Sequence, residues 1–134
     1  MNIEHATFLI GKILLGGFFI LSGLKHFTET RELTDWTSSK GLPAPKILVY
    51  LSGILISVSG LGILLGAFTV TSIALLATFL ILASVSMHDY WNLEENRQEQ
   101  KTNFLKNTAL LGALLMLLRA DWTIYGLGLT LGLL

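Results

Sequence analysis

The stretch from Ile47 to Met87, ILVYLSGILI SVSGLGILLG AFTVTSIALL ATFLILASVS M, decides what kind of protein this is. Its forty-one residues contain no charged side chain. One helix of that length would run about 60 Å at about 1.5 Å per residue, twice the roughly 30 Å hydrocarbon core of a bilayer. The chain is therefore expected to cross twice here, turning at Gly66-Ala67-Phe68-Thr69. That reading gives helices over about 46–66 and 69–89. Gly53, Ser57 and Gly60, with Gly62 and Gly66, recur at near-helical spacing on the earlier one, a pattern that serves close helix packing better than ligand binding.

Upstream, the nineteen residues from Ala6 to Leu24 carry one charge, Lys12, and end at Lys25-His26. They read as a first transmembrane helix over about 6–26, with Lys12 snorkelling or capping its outer end. The leader before it has no Lys or Arg and no small-x-small cleavage site follows, unlike a cleaved signal peptide. Phe27 to Ala44 is a polar connection in which Phe27, Leu33 and Trp36 form one side of a short interfacial helix. Gly41 is expected to stop it, and Leu42-Pro43-Ala44-Pro45 to return the chain to the bilayer.

Downstream, Asn92 to Lys101 reads as a solvated connection. A fourth helix follows over about 103–120, capped by Thr102 or Asn103. Arg119-Ala120-Asp121-Trp122 marks an interface, and the apolar tail Thr123 to Leu134 is too short to span. The expected fold is all-α: a four-transmembrane-helix bundle with a short interfacial helix between the first and second helices, residues 1–134 forming one domain.

Composition agrees. Only 13% of the residues are charged and 52% are hydrophobic, against about 25% charged in an ordinary soluble domain. A soluble chain of this size cannot bury so much apolar surface. Net charge is zero and the basic residues do not cluster, which argues against nucleic acid. With no cysteine in the chain, it cannot itself perform thiol–disulfide chemistry or build thiolate metal sites. Lys25, Arg31, Lys40 and Lys46 flank the first polar connection, and Arg97, Lys101 and Lys106 the second. Only Lys12 and Arg119 lie near the other side. The positive-inside rule then puts both connections in the cytoplasm and both termini outside a plasma (inner) membrane.

Four passes bring Lys25-His26, His88-Asp89 and Lys106-Asn107 to one end of the bundle. A ligand pocket lined by Lys25, His88, Asp89, Lys106 and Asn107, with Trp91 and Trp36 at its mouth, follows from that topology. Ionisable groups at membrane depth usually face the bundle interior and often mark function. Lys25 and His88 sit at carboxy-terminal helix ends, where positive charge is favoured by about 0.3–1 kcal/mol. Asp89 at such an end and Lys106 in a first turn have the wrong sign, so they are expected to pair with each other. That pair serves equally well as a structural tie between two helices or as part of a ligand site. Tyr90, Trp91, Trp36 and Trp122 have a plainer reading as an interfacial aromatic belt. No metal site is expected, since His26 with His88 offers only two imidazoles and His5 lies at the far face. No nucleophile triad, phosphate loop or paired-carboxylate signature is present.

Met87-His88-Asp89-Tyr90-Trp91 and Phe104-Leu105-Lys106-Asn107-Thr108-Ala109, running on to Gly112-Ala113-Leu114-Leu115, with the Gln98 or Gln100 region between them, resemble the DoxX family of small membrane proteins. Phe19-Ile20-Leu21-Ser22-Gly23-Leu24-Lys25, Gly41-Leu42-Pro43-Ala44-Pro45 and Gly60 to Gly66 are similar to other parts of its pattern. Many members carry a Glu four residues before the glycine that matches Gly60, where this chain has Ile56. The tail after Arg119 also departs from the family. The resemblance implies a four-helix membrane bundle associated with redox systems, among them a quinone-linked thiosulfate oxidoreductase.

The leading expectation is a membrane accessory or subunit of a quinone-linked or oxidative-stress redox system. In it Lys106 and Asn107 hydrogen-bond a quinone or other isoprenoid lipid, His88 handles a proton and Asp89 holds its neighbours in place. No covalently bound cofactor is expected. The expected partners are the bilayer and a membrane-associated redox enzyme, with homo-oligomerisation left open. The alternative is a non-enzymatic assembly or docking protein that recruits a partner through its charged connections. A small multidrug exporter fits four helices but would need a carboxylate within a helix.

Overall fold

The computed structural model describes residues 2–121. Among them are five α-helices: α1 (Ile3–Thr28), α2 (Thr30–Ser39), α3 (Pro45–Leu65), α4 (Thr69–Met87) and α5 (Arg97–Leu117), with a 3-10 turn at Tyr90–Asn92 before α5. Among the described residues three stretches are long and apolar enough to cross a membrane: Ile3–Thr28, Pro45–Leu65, and Thr69–Asn92, which is α4 with the turn after it.

Local chemistry sets the boundaries. The side chain of Asn2 accepts the His5 amide at 2.9 Å and so satisfies one open donor at the start of α1. After α1 the chain bends at Glu29 and enters α2, whose Thr30 hydroxyl donates to the His26 carbonyl at 2.8 Å. The expected short helix is therefore present, and Gly41, in the left-handed region at φ 73°, terminates it. Pro45 occupies the first turn of α3, where its missing amide hydrogen costs nothing. Gly66, at φ 70°, closes α3 and begins the turn expected at 66–69.

One boundary differs. The last helix begins at Arg97, two turns before the expected Asn103. The run from Arg97 to Lys101 is polar enough to suggest a loop, yet Arg, Gln, Glu and Lys are all good helix formers. The helix consequently starts with two polar turns before its apolar portion. The expectations for Trp122 and the tail Thr123 to Leu134 lie outside the described residues.

Helices α1 and α3 form the most extensive helix pair and run antiparallel, with Gly16 against Gly60 and Gly23 against Gly53 and Ser57. A Cβ at Gly60 would sit 2.9 Å from the Ile20 nitrogen and 3.0 Å from the Gly16 carbonyl oxygen. The small residues of α3 thus do what their spacing implied: they let two backbones touch. The core beside this seam is Phe19, Ile56, Ile63, Ile73, Leu76, Leu80 and Leu114, drawn from α1, α3, α4 and α5. Ile56 is buried in it. A carboxylate at that position would be stripped of water among hydrocarbon, and the chain's isoleucine suits the site it occupies.

Many large apolar side chains face outward, among them Ile13, Leu14, Leu21, Ile54, Val58, Ile81, Leu82 and Met116. Lipid satisfies such a surface and water does not. Lys12 does not snorkel: it is 2% exposed within the first half of α1. A charge at that depth is better turned into the bundle than toward hydrocarbon.

Candidate functional site

The end of α1, all of α2, the start of α3, the end of α4 and the start of α5 gather at one end of the bundle. The first polar connection touches the second directly, because Lys40, just past α2, pairs with Asp89, just past α4. Both side chains are mostly covered. The Lys40 ammonium also lies 4.8 Å from the centre of the Trp36 ring, within cation–π range. The Asn92 side-chain amide donates to the other Asp89 oxygen at 3.3 Å.

This corrects the expected Asp89–Lys106 pair. Lys40 follows the carboxy-terminal end of α2, where the helix dipole favours a cation, and the fold of α2 carries it to Asp89. Lys106 is exposed and donates to Asn103 one turn earlier on the same helix, at 3.3 Å. Lys25, also exposed, lies near the end of α1 at the same end of the bundle.

His88 closes α4, and its Nδ1 lies 2.7 Å from Oε1 of Gln100, a buried side chain in the first turns of α5. A carbonyl oxygen only accepts, so this contact puts the proton on Nδ1 and leaves Nε2 as an acceptor. Tyr90, Trp91 and Phe104 form an aromatic cluster, their ring centres 5.3 to 5.8 Å apart. Trp91 remains 48% exposed and Asn107 is buried on α5. The expected site residues therefore separate: His88 and Asp89 are tied to Gln100 and Lys40, Trp91 meets Tyr90 and Phe104 edge-on, Asn107 is buried on α5, and Lys25 and Lys106 are exposed, near the end of α1 and on α5. They share an end of the bundle, and none of them lines the neighbouring cavity.

That cavity, partly open and about 210 Å³ in volume, lies between the end of α1, α2, the start of α3 and the end of α4. Its walls are mainly apolar, including Leu33, Leu42, Leu48, Val49, Phe79, Leu82 and Met87, with His26, Thr37, Ser52 and Ser86 adding polar atoms. The hydroxyls of Thr37 and Ser86 are spent on the carbonyls of Leu33 and Leu82 at 2.7 and 2.6 Å. His26 Nδ1 lies 3.1 Å from the Val49 carbonyl oxygen and 2.8 Å from the Ser52 hydroxyl. The Ser52 hydroxyl also donates to the Val49 carbonyl at 3.0 Å; with the proton on Nδ1 the ring donates there too, and Nε2 is left as an acceptor. The His26 ring meets Phe79 edge-on at 6.4 Å.

Sequence reading undervalued four residues. Lys40 counted only as one of several flanking cations, Gln100 only as part of the Gln98 or Gln100 region, His26 only as the end of the first helix and one of too few imidazoles for a metal, and Ser52 not at all. Helical spacing from Gly53 and Gly60, carried across the antiparallel seam, would have set His26 opposite Ser52.

Comparison with known proteins agrees with the architecture. The family model described as DoxX matches residues 7–89, more than half of the chain. The match takes in α1 through Asp89 and stops before the Phe104-to-Asn107 element. Searches of curated proteins and of solved structures return no match. With a family match spanning its three long apolar stretches almost entirely, the chain belongs to the DoxX family.

Proposed function

We propose that this protein is a multi-pass component of a quinone-linked or oxidative-stress redox system, and that it holds the ring headgroup of a quinone or related isoprenoid lipid. The single observation carrying this reading is the cavity beneath α2: apolar walls, about 210 Å³, and one imidazole with a free acceptor nitrogen. An apolar cavity of about 150 Å³ suffices to take up benzene, so a substituted six-membered ring fits the space. His26 Nε2 would accept a hydrogen bond, and then a proton, from a quinol hydroxyl. The isoprenoid tail would leave toward lipid past Leu82, which lines the cavity and is 63% exposed.

In this reading α2 is the roof of the site, and the Lys40–Asp89 pair with Trp36 holds it down. The pocket first expected around His88 and Lys106 shifts to His26, with His88 and Gln100 joining α4 to α5. Helix α5, about 31 Å long including the two polar turns at its start, serves in this reading as the fourth pass. The polar end faces the cytoplasm, in accord with its excess of lysine and arginine. The cysteine-free chain supplies binding and proton transfer, and a partner enzyme takes up or delivers the electrons.

The test is titration of the purified full chain, in mild detergent, with a short-tailed ubiquinone analogue while tryptophan fluorescence is followed. Saturable quenching is expected, weakened about 5- to 10-fold in His26→Leu by loss of one buried hydrogen bond. It is expected to vanish in Ala83→Phe, which fills the cavity. Quenching of equal strength in wild type and Ala83→Phe would sink the assignment, as would its absence in wild type.

A further inference from the structure

A second feature shares no residue with the His26 cavity and is independent of the quinone reading. An open groove runs between α1 and α5, walled by Gly11, Leu14 and Phe18 on one helix and Leu110, Ala113 and Met116 on the other. Its lining is almost wholly apolar. Leu14 and Met116 are 68% and 78% exposed, so the groove faces outward.

The helical register continues both walls to a cation. On α1 the steps 11, 14, 18 and 25 keep to one face, ending at Lys25; on α5 the steps 116, 113, 110 and 106 end at Lys106. The helices run antiparallel here, so both lysines stand at the polar end of the groove. Both side chains are exposed. Among the described residues neither forms an ion pair with a carboxylate. Two like charges at the same end of an apolar channel lack an anion. Half of a bilayer's hydrocarbon core, about 15 Å, corresponds to about ten residues of helix below Lys25. That depth reaches the level of Leu15, within the groove.

We propose that the α1–α5 groove is a binding site for an anionic phospholipid, its phosphate between Lys25 and Lys106 and an acyl chain lying along Leu14, Phe18, Leu110 and Ala113. The charge at the mouth favours an anionic lipid over a zwitterionic one, because basic pockets between membrane helices select anionic headgroups. A lipid also fills the groove without the matching surface that a protein partner would need.

The experiment is native mass spectrometry of the full chain, titrated with phosphatidylglycerol or phosphatidylcholine of identical acyl chains. Wild type is expected to retain phosphatidylglycerol roughly 30-fold more tightly, about fivefold for each lysine near an anionic headgroup. The double variant Lys25→Gln/Lys106→Gln is expected to lose that preference yet still take up both lipids weakly. Ala113→Leu, which narrows the groove, should weaken both lipids equally. Elution volume and thermal unfolding matching wild type establish that the variants are folded, and Lys25→Arg/Lys106→Arg should restore the preference. An undiminished preference in the glutamine variant overturns the proposal. So does a wild-type dimer that Ala113→Leu dissociates, which would make a second copy the occupant. Quinone titration of the same glutamine variant should match wild type, so the two readings fail separately.

Discussion

Gly23→Ala tests whether the α1–α3 seam is set by backbone contact, with Gly17→Ala as its internal control. A Cβ at Gly23 would lie 2.7 Å from the Ser57 nitrogen and 2.8 Å from the Gly53 carbonyl oxygen, and would also strike the Ser57 hydroxyl. The hydroxyl can rotate away, but the two backbone atoms cannot. Ordinary contact needs about 3.5 Å, so the helices must separate by about 0.7 Å. A gap of that size forfeits a quarter to a half of each contact's attraction, and over roughly twenty atom pairs along the seam that comes to about 1 kcal/mol. Strain left after relaxation brings the cost to about 1–3 kcal/mol, the usual range for overpacking. A Cβ at Gly17 meets nothing within 4 Å. Both alanines gain the same helix propensity, up to about 1 kcal/mol, so the difference between the variants isolates packing. Equilibrium unfolding of the two proteins in the same mixed micelles measures it. Gly23→Ala should be the less stable by about 1–3 kcal/mol. A difference below about 0.5 kcal/mol, or a reversed order, would refute the argument that these backbones are in contact.

The other predictions concern the polar end. Lys40→Ala and Asp89→Ala, combined in a double-mutant cycle, should show a coupling between that of an exposed pair, up to about 1 kcal/mol, and the 3–5 kcal/mol lost on breaking a buried one. Additive effects would show that the pair does not hold α2 down. Gln100→Ala removes the acceptor of His88 Nδ1–H and should cost about 1–3 kcal/mol, with faster amide exchange in the first turns of α5. Exchange unchanged there would separate the His88–Gln100 contact from the start of that helix. Trp36→Ala removes the ring beneath the Lys40 ammonium and should cost about 0.5–2 kcal/mol beyond its buried area, which Trp36→Phe should partly restore. Equal losses in the two variants would argue against the ring's part in holding Lys40.

Much of the architecture could be read directly because hydrocarbon is a demanding solvent. Forty-one residues without a charge have few alternatives to two crossings, and Gly41, Pro45 and Gly66 stand where their backbone preferences put helix ends. Close packing through Gly53, Ser57 and Gly60 was equally legible, since small residues at helical spacing have one main use in a membrane. Arg97 to Lys101 was harder: charge and helix propensity pointed in different directions, and propensity won.

Side-chain partners were another matter. Dipole signs correctly marked Asp89 as needing a cation and wrongly chose Lys106, because no local rule says how far α2 reaches across the end of the bundle. Lys12 appeared free to snorkel until the packing around α1 enclosed it. The cavity at His26 draws its walls from four helices, and no pattern within one of them announces it. From its sequence alone, this protein's solvent, its long apolar helices and the small-residue face that packs were legible, since each follows from one segment's period and hydropathy. Which lysine meets Asp89, and where an enclosed space remains, were decided only by the tertiary structure, because both depend on crossing angles and offsets between helices that no single segment encodes.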